Sequence, residues 1–173
     1  MERLRQAYDD AWVRLDAALD SPRYRLLLTD LRTLADDPPF TAASGTLAED
    51  LVRNRARKHW RRISTRVAAL PATSDDGFVE RLHDVRKAAK RLQYLLDSAH
   101  QVTDSEAARV RRVVTSFQRR LGDHHDAALT HTLLSGAGPH PTADDAVAER
   151  DRVEEEFPAR WQRLRRRTTR WLH

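Results

Sequence analysis

From Leu82 to Ala99, apolar residues recur every three or four positions, at Leu82, Val85, Ala89, Leu92, Leu96 and Ala99. At about 100° per residue these share one side of a helix, while His83, Arg86, Lys87, Lys90 and Tyr94 share another. One stripe suits burial and the other suits negative charge. The design occurs twice more. Val52, Ala56, Trp60, Ile63 and Val67 form an apolar face in a segment whose outward arc carries Arg55, Lys58, Arg62 and Arg66. Val110, Val113, Val114, Phe117 and Leu121 do the same in a segment whose other face carries Arg109, Arg112, Ser116, Arg119 and Arg120.

The residues between the stripes predict about seven helices. A first helix over roughly 2 to 20 has Leu4, Tyr8, Trp12 or Val13, Leu15 and Leu19 as its apolar positions. It stops at Ser21-Pro22, where Ser can cap the next helix and Pro can occupy its first turn. The second helix spans roughly 22 to 35 and ends at Asp36-Asp37-Pro38-Pro39. A third, capped by Ser44 or Thr46, reaches Leu70, and Pro71 to Gly77 is a turn cluster. A fourth runs to about Val102, a fifth from Ser105 to Leu121 and a sixth from Asp123 to about Leu134, with a junction at Gly122. Ser135 to Pro141, with two Gly and two Pro, reads as a loop. The seventh starts near Thr142, and Pro158 is expected to kink or split it. The expected fold is all-α, an antiparallel helical bundle in a single domain over 1–173, with linking helices over 1–37 and the bundle over 44–173.

Composition supports this class. Only 5 Gly, 6% aromatics and 33% charged residues favour helices over sandwiches or barrels. The chain has no Cys, which removes disulfides, thiolate chemistry and Cys-based zinc sites. The opening MERLRQAYDDAW has no apolar core of a signal peptide, and no stretch reaches the roughly 18 apolar residues of a membrane span. A soluble cytoplasmic protein is expected.

The net charge of +5 understates how acids and bases are separated. Arg53, Arg55, Arg57, Lys58, Arg61, Arg62 and Arg66 run without an intervening carboxylate. So do Arg109, Arg111, Arg112, Arg119 and Arg120, and again Arg160, Arg163, Arg165, Arg166, Arg167 and Arg170. The acids gather in the first helix and from Asp144 to Glu156. Like charges at i,i+4 cost about 0.2 to 0.5 kcal/mol per pair, a cost that a bound polyanion would offset. Where two basic helices lie side by side their cations line one groove. Phosphate suits it, because Arg binds its oxygens bidentately and Lys acts as a point charge. The C-terminal Arg run reads as a solvated face.

His83-x-x-Arg86-x-x-x-Lys90-Arg91-x-x-Tyr94, followed by Gln118-x-x-Leu121-Gly122-x-x-x-Asp126, closely resembles the second signature of the CHAD family, the conserved histidine α-helical domain. Ser21-Pro22-Arg23-Tyr24 and the leucines after it are similar to the segment linking that family's two halves. The resemblance covers essentially the whole chain but only the latter part of the family pattern, its C-terminal half. The first His-x-x-Arg half is missing, and Gln93 stands where the family often has another Arg. What the resemblance implies is a non-catalytic helical module, with no cofactor and no metal, that binds inorganic polyphosphate in a basic channel or groove. Carried over, His83, Arg86, Lys87, Lys90 and Arg91 line that channel, with Arg109, Arg112, Arg119, Arg120, Arg55, Lys58 and Arg62 as further contacts. Tyr94, Gln118, Gly122 and Asp126 are the structural part of the motif. Sulfate or phosphate ions are expected guests in crystals, and association with polyphosphate granules follows from the same resemblance.

Plainer readings stand beside these. His83 can be a polar group satisfied by a neighbouring carboxylate, and Tyr94 a packing residue with its hydroxyl in solvent. Asp126 can pair with an Arg or accept N–H groups near Gly122, holding the helix junction there. Trp12, Trp60, Trp161 and Trp171 read as core or interface anchors. Phosphoryl transfer needs carboxylate-held Mg²⁺ or a Gly-rich loop, and the basic rails contain neither. Glu80-x-x-His83 is half of a di-iron motif without a second half, and His124, His125 and His131 lack the spacing of a helix zinc site. The alternatives kept open are a nucleic-acid-binding helical protein, a histidine phosphotransfer bundle using His83, and a homodimer formed through the N-terminal helices.

Overall fold

The structure, a computed structural model, describes residues 2–71, 76–135 and 141–173. It is all-α. The helices are α1 Glu2–Leu19, α2 Pro22–Asp36, α3 Ala48–Ala68, α4 Asp76–Ser98, α5 Ser105–Ser135 and α6 Pro141–Leu172, with a 3-10 turn at Ala42–Gly45. None is long and apolar enough to cross a membrane among the described residues. The chain divides into two compact units, Met1–Gly45 and Thr46–His173.

In the first unit α1 packs against α2. Ser21 caps α2 as expected: its hydroxyl accepts from the Tyr24 N–H at 3.2 Å, with Pro22 in the first turn. Two helices offer too little opposing surface to enclose a core, and neither α1 nor α2 buries a residue. Leu4, Tyr8, Leu15, Leu19, Leu27 and Leu31 are all exposed. Trp12, at 59% exposure, is therefore no core residue.

The second unit is a four-helix bundle in which α3 adjoins α4 and α6, and α5 adjoins α4 and α6. The apolar stripes read from the sequence form its centre. All six residues of the stripe from Leu82 to Ala99 are buried, along with Ala56 and Ile63 of α3 and Val110, Val114, Phe117 and Leu121 of α5. From α6 come Phe157, Leu164 and Trp171. Trp60 stacks on Trp161 with ring centroids 5.1 Å apart, joining α3 to α6. Full burial of one such side chain is worth about 1.5 to 3 kcal/mol, so these stripes fix which face of each helix is left outside.

Several boundaries differ from expectation. Among the described residues there are six α-helices, not about seven, because residues 105–121 and 123–134 make one helix that passes straight through Gly122. Glycine in a helix interior costs about 1 kcal/mol, which the buried Leu121, His124 and Ala127 around it outweigh. Asp126 is exposed, and there is no junction for it to hold. Pro158 does not split α6: it sits on the exposed side, where the carbonyl it leaves unbonded can be hydrated. Neither Ser44 nor Thr46 caps α3, which starts after Leu47 with no side-chain cap and places Glu49 and Asp50 in its positive first turn. The α4 helix ends at Ser98, short of Val102, and Asp104 caps α5 by accepting the Ala107 N–H at 2.6 Å. Within the expected turn cluster, Gly77 belongs to α4, while 72–75 and most of the expected loop, 136–140, lie outside the described residues.

Candidate functional site

Helices α4 and α5 run antiparallel, so the start of one faces the far half of the other. The rings of His83 and His125 lie 4.2 Å apart, the Arg86 guanidinium rests over Gly122, and Asp97 meets Arg111 at 3.6 Å. The α4 side of this groove is thus His83, Arg86, Lys90, Gln93 and Asp97. Across it run Arg111, Thr115, Gln118, Gly122 and His125, a single 3-4 stripe of α5. Toward its outer part the groove opens into a hollow of about 670 Å³ bounded by Gln93, Arg111, Arg112, Thr115 and Arg119. Both halves of the sequence motif therefore meet in one place.

The groove is polar and incompletely satisfied. Among the described residues, Nδ1 of His83 and Nε of Arg86 are buried without a hydrogen-bond partner, a condition rare for buried polar atoms. Burial, then the neighbouring His125, Lys87 and Arg86, push the His83 pKa below its ordinary value, against only Asp84. Lys90 lies over the exposed Tyr94 ring at 5.5 Å, so Tyr94 packs under a cation with its edge in solvent. Gln118 is half-buried one turn before Gly122.

A second cationic cluster lies between α3 and α4. His59 is held below its ordinary pKa by burial, then by Arg62, Arg91 and Arg55, and its Nδ1 is also buried without a hydrogen-bond partner among the described residues. Lys58 is exposed on the same arc of α3. The α4 helix thus has basic side chains on both flanks, and α3, α4 and α5 present neighbouring rails.

The expected contacts divide by what already holds them. Arg55, Lys58, Arg62, Arg86, Lys90, Arg91, Arg112 and Arg119 form no ion pair among the described residues. Lys87 is paired with Asp84 at 2.6 Å, and Arg109 with Glu106 at 2.6 Å. Arg120 is engaged three times over, by Glu149 at 2.6 Å, Asp123 at 3.0 Å and Glu156 at 3.1 Å, and acts as a strut between α5 and α6. The acids that neutralise it come mostly from the 144–156 cluster, so this block is acid-free in sequence but not in space.

His125, Arg111 and His59 join the site without having been singled out for it. The signal was present for two of them, since 111, 118, 122 and 125 share one helical stripe. His59 needed knowledge of which helix packs beside α3. No group of three or more His, Asp or Glu side chains that could hold a metal occurs among the described residues. His124 is buried and bonds Glu154 across the α5/α6 seam at 2.9 Å.

No curated protein and no solved structure matches the chain. The family model described as CHAD domain matches residues 1–135, a span that includes both motif segments and the α3, α4 and α5 rails. The chain belongs to the CHAD domain family.

Proposed function

We propose that this protein binds inorganic polyphosphate, without turning it over, on the basic face formed by α3, α4 and α5. The observation that carries the reading is the α4/α5 groove, where Arg86, Lys90, Arg112 and Arg119 have no carboxylate partner and two buried nitrogens have no hydrogen-bond partner. Unpaired cations gathered in one groove favour an anionic guest, and phosphate oxygens would pair with them. The face offers cations and imidazoles but no carboxylate set or glycine-rich loop of the kind that phosphoryl transfer uses.

Nucleic acid is the competing polyanion. Among the described residues Tyr94 is the one phenol or indole ring in the rail and Lys90 covers it, while the His83 and His125 rings face each other, so an open stacking platform for bases is lacking there. A competition titration separates the two: long-chain polyphosphate should displace duplex DNA at equal phosphate concentration and moderate salt, and the opposite order would favour the nucleic-acid reading. Phosphotransfer through His83 is tested by incubation with a labelled phosphodonor, where label on His83 would overturn a purely binding role.

A second reading rests on the N-terminal unit, whose apolar stripes are exposed along both helices. We propose that this hairpin pairs with the hairpin of a second copy, since a two-fold contact needs only one self-complementary patch and this one mixes its charges, with Arg3, Arg5 and Arg14 beside Asp9, Asp10 and Asp16. Light scattering should give a dimer that Trp12→Asp with Leu15→Asp dissolves. A concentration-independent monomer would refute it.

A further inference from the structure

A second groove, of about 690 Å³, lies between α5 and α6, with Val113 and Phe117 as its floor. Five arginines bound it, Arg109 and Arg112 from α5 and Arg160, Arg163 and Arg167 from α6, against one carboxylate, Glu156. That carboxylate is held below its ordinary pKa by its bond to Arg160 at 2.8 Å and then by Arg120, so its charge is already matched. Arg112 and Arg163 have no ion-pair partner among the described residues, and Arg167 only reaches Glu106 at 3.9 Å. Positions 160, 163, 167 and 170 follow 3-4-3 spacing, so they form one rail about 15 Å long on α6. Its continuation past Arg166 and Arg170 edges a smaller hollow of about 310 Å³. In sequence this run reads as a solvated face, and it lies beyond the residues that the family model matches.

This groove adjoins the first. Arg112, Ser116 and Arg160 bound both, and Ser116, small and exposed, leaves the ridge of α5 low where they meet. Across α5 and α6 two carboxylates face five arginines, Glu106 bonding Arg109 at 2.6 Å and Glu156 bonding Arg160, so a cationic excess centred on Arg112 and Arg163 remains, which like-charge repulsion disfavours until a guest arrives.

We propose that the α5/α6 groove is a second phosphate-binding segment, so that a long polyphosphate chain leaves the α4/α5 groove, crosses α5 at Ser116 and continues along Arg163 and Arg167. The proposal rests on the polyphosphate reading and adds to it a selectivity for chain length. Short oligophosphates fill the first groove only, and long chains engage both.

Calorimetric titration of the full chain with tripolyphosphate and with long-chain polyphosphate tests this. Arg163→Ala with Arg167→Ala should leave tripolyphosphate affinity within about twofold. The same variant should weaken long-chain binding by about tenfold and lower its log-affinity versus log-salt slope by about 1.4, at roughly 0.7 for each phosphate charge no longer neutralised. The Gln pair at the same positions, which keeps the side-chain length, should behave alike, and circular dichroism should show native helicity for both. Unchanged long-chain affinity and slope would overturn the second segment while leaving polyphosphate binding intact. Equal weakening for both ligands would also overturn it, by making this groove the primary site. If wild-type protein binds neither ligand, or Arg86→Ala with Lys90→Ala changes neither, the polyphosphate reading itself fails.

Discussion

The His83 ring lies 4.2 Å, centroid to centroid, from that of His125 and is tilted by 32° to it, so a proton on His83 is opposed by His125 as well as by Lys87 and Arg86. In the free protein the neutral form of His83 is favoured, because burial and these neighbours lower its pKa in the folded state only. Its contribution to stability is complete above the unfolded value of about 6.5 and is lost as pH falls through the lowered folded value. Thermal unfolding should therefore shift downward on acidification below about pH 6.5, and His83→Gln should reduce that shift. A bound polyanion reverses the sign, because it favours imidazolium. Affinity should rise as pH falls through the same window, with proton uptake visible in calorimetry across buffers of different ionisation enthalpy. Binding without proton uptake would count against a phosphate contact at His83.

Arg86→Ala with Lys90→Ala removes two unpaired cations from the α4/α5 groove and touches none of the buried α4 stripe. Polyphosphate affinity should fall, and the salt slope should decrease by about 1.4, at roughly 0.7 for each phosphate left unneutralised. Helicity should be nearly unchanged, which circular dichroism checks. An unaltered slope would place the contacts elsewhere.

Gly122 separates a steric role from a propensity role. A Cβ there would stand 3.5 Å from the nearest Arg86 nitrogen, an ordinary contact, so Gly122→Ala should fit. Relief of the glycine cost should raise stability by up to about 1 kcal/mol, with affinity maintained. Gly122→Leu should push the Arg86 guanidinium off α5 and weaken binding. Calorimetry and thermal melts on the pair distinguish the two effects.

Arg119 and Arg120 are adjacent in sequence and opposite in role. Arg120→Ala leaves Asp123, Glu149 and Glu156 facing one another at the α5/α6 seam, so the melting temperature should drop by a few degrees with modest change in affinity. Arg119→Ala removes an exposed, unpaired cation. It should weaken binding and leave the melt alone. Interchanged outcomes would mean that the ion-paired arginine, not the free one, meets the ligand.

The contrast between these two residues also shows what was legible in the sequence. Periodicity identified the buried faces of α3, α4 and α5, because apolar burial dominates and repeats every three to four residues. It also brought His83, Arg86 and Lys90 to one stripe. Pairing across helices was not legible: the carboxylates of Arg120 come from residues 149 and 156, and no local rule joins them to position 120. Gly122 misleads for a related reason, since glycine often ends helices and here the packing of its neighbours prevails, and α6 likewise runs unsplit through Pro158. For Trp12 the sequence left core and interface open, because an apolar face says nothing of whether its own unit supplies a partner, and its exposure excludes the core.

The cations gathered around His59, with Arg55, Arg62 and Arg91 acting on one imidazole, have a consequence for how the molecule responds to its solvent. A protein held together by exposed ion pairs loosens when electrolyte is added. In this bundle the uncompensated repulsion on α3 and α4 is what electrolyte would shield. Moderate sodium chloride should therefore make the ligand-free protein harder to melt, even as it makes the same face a poorer host.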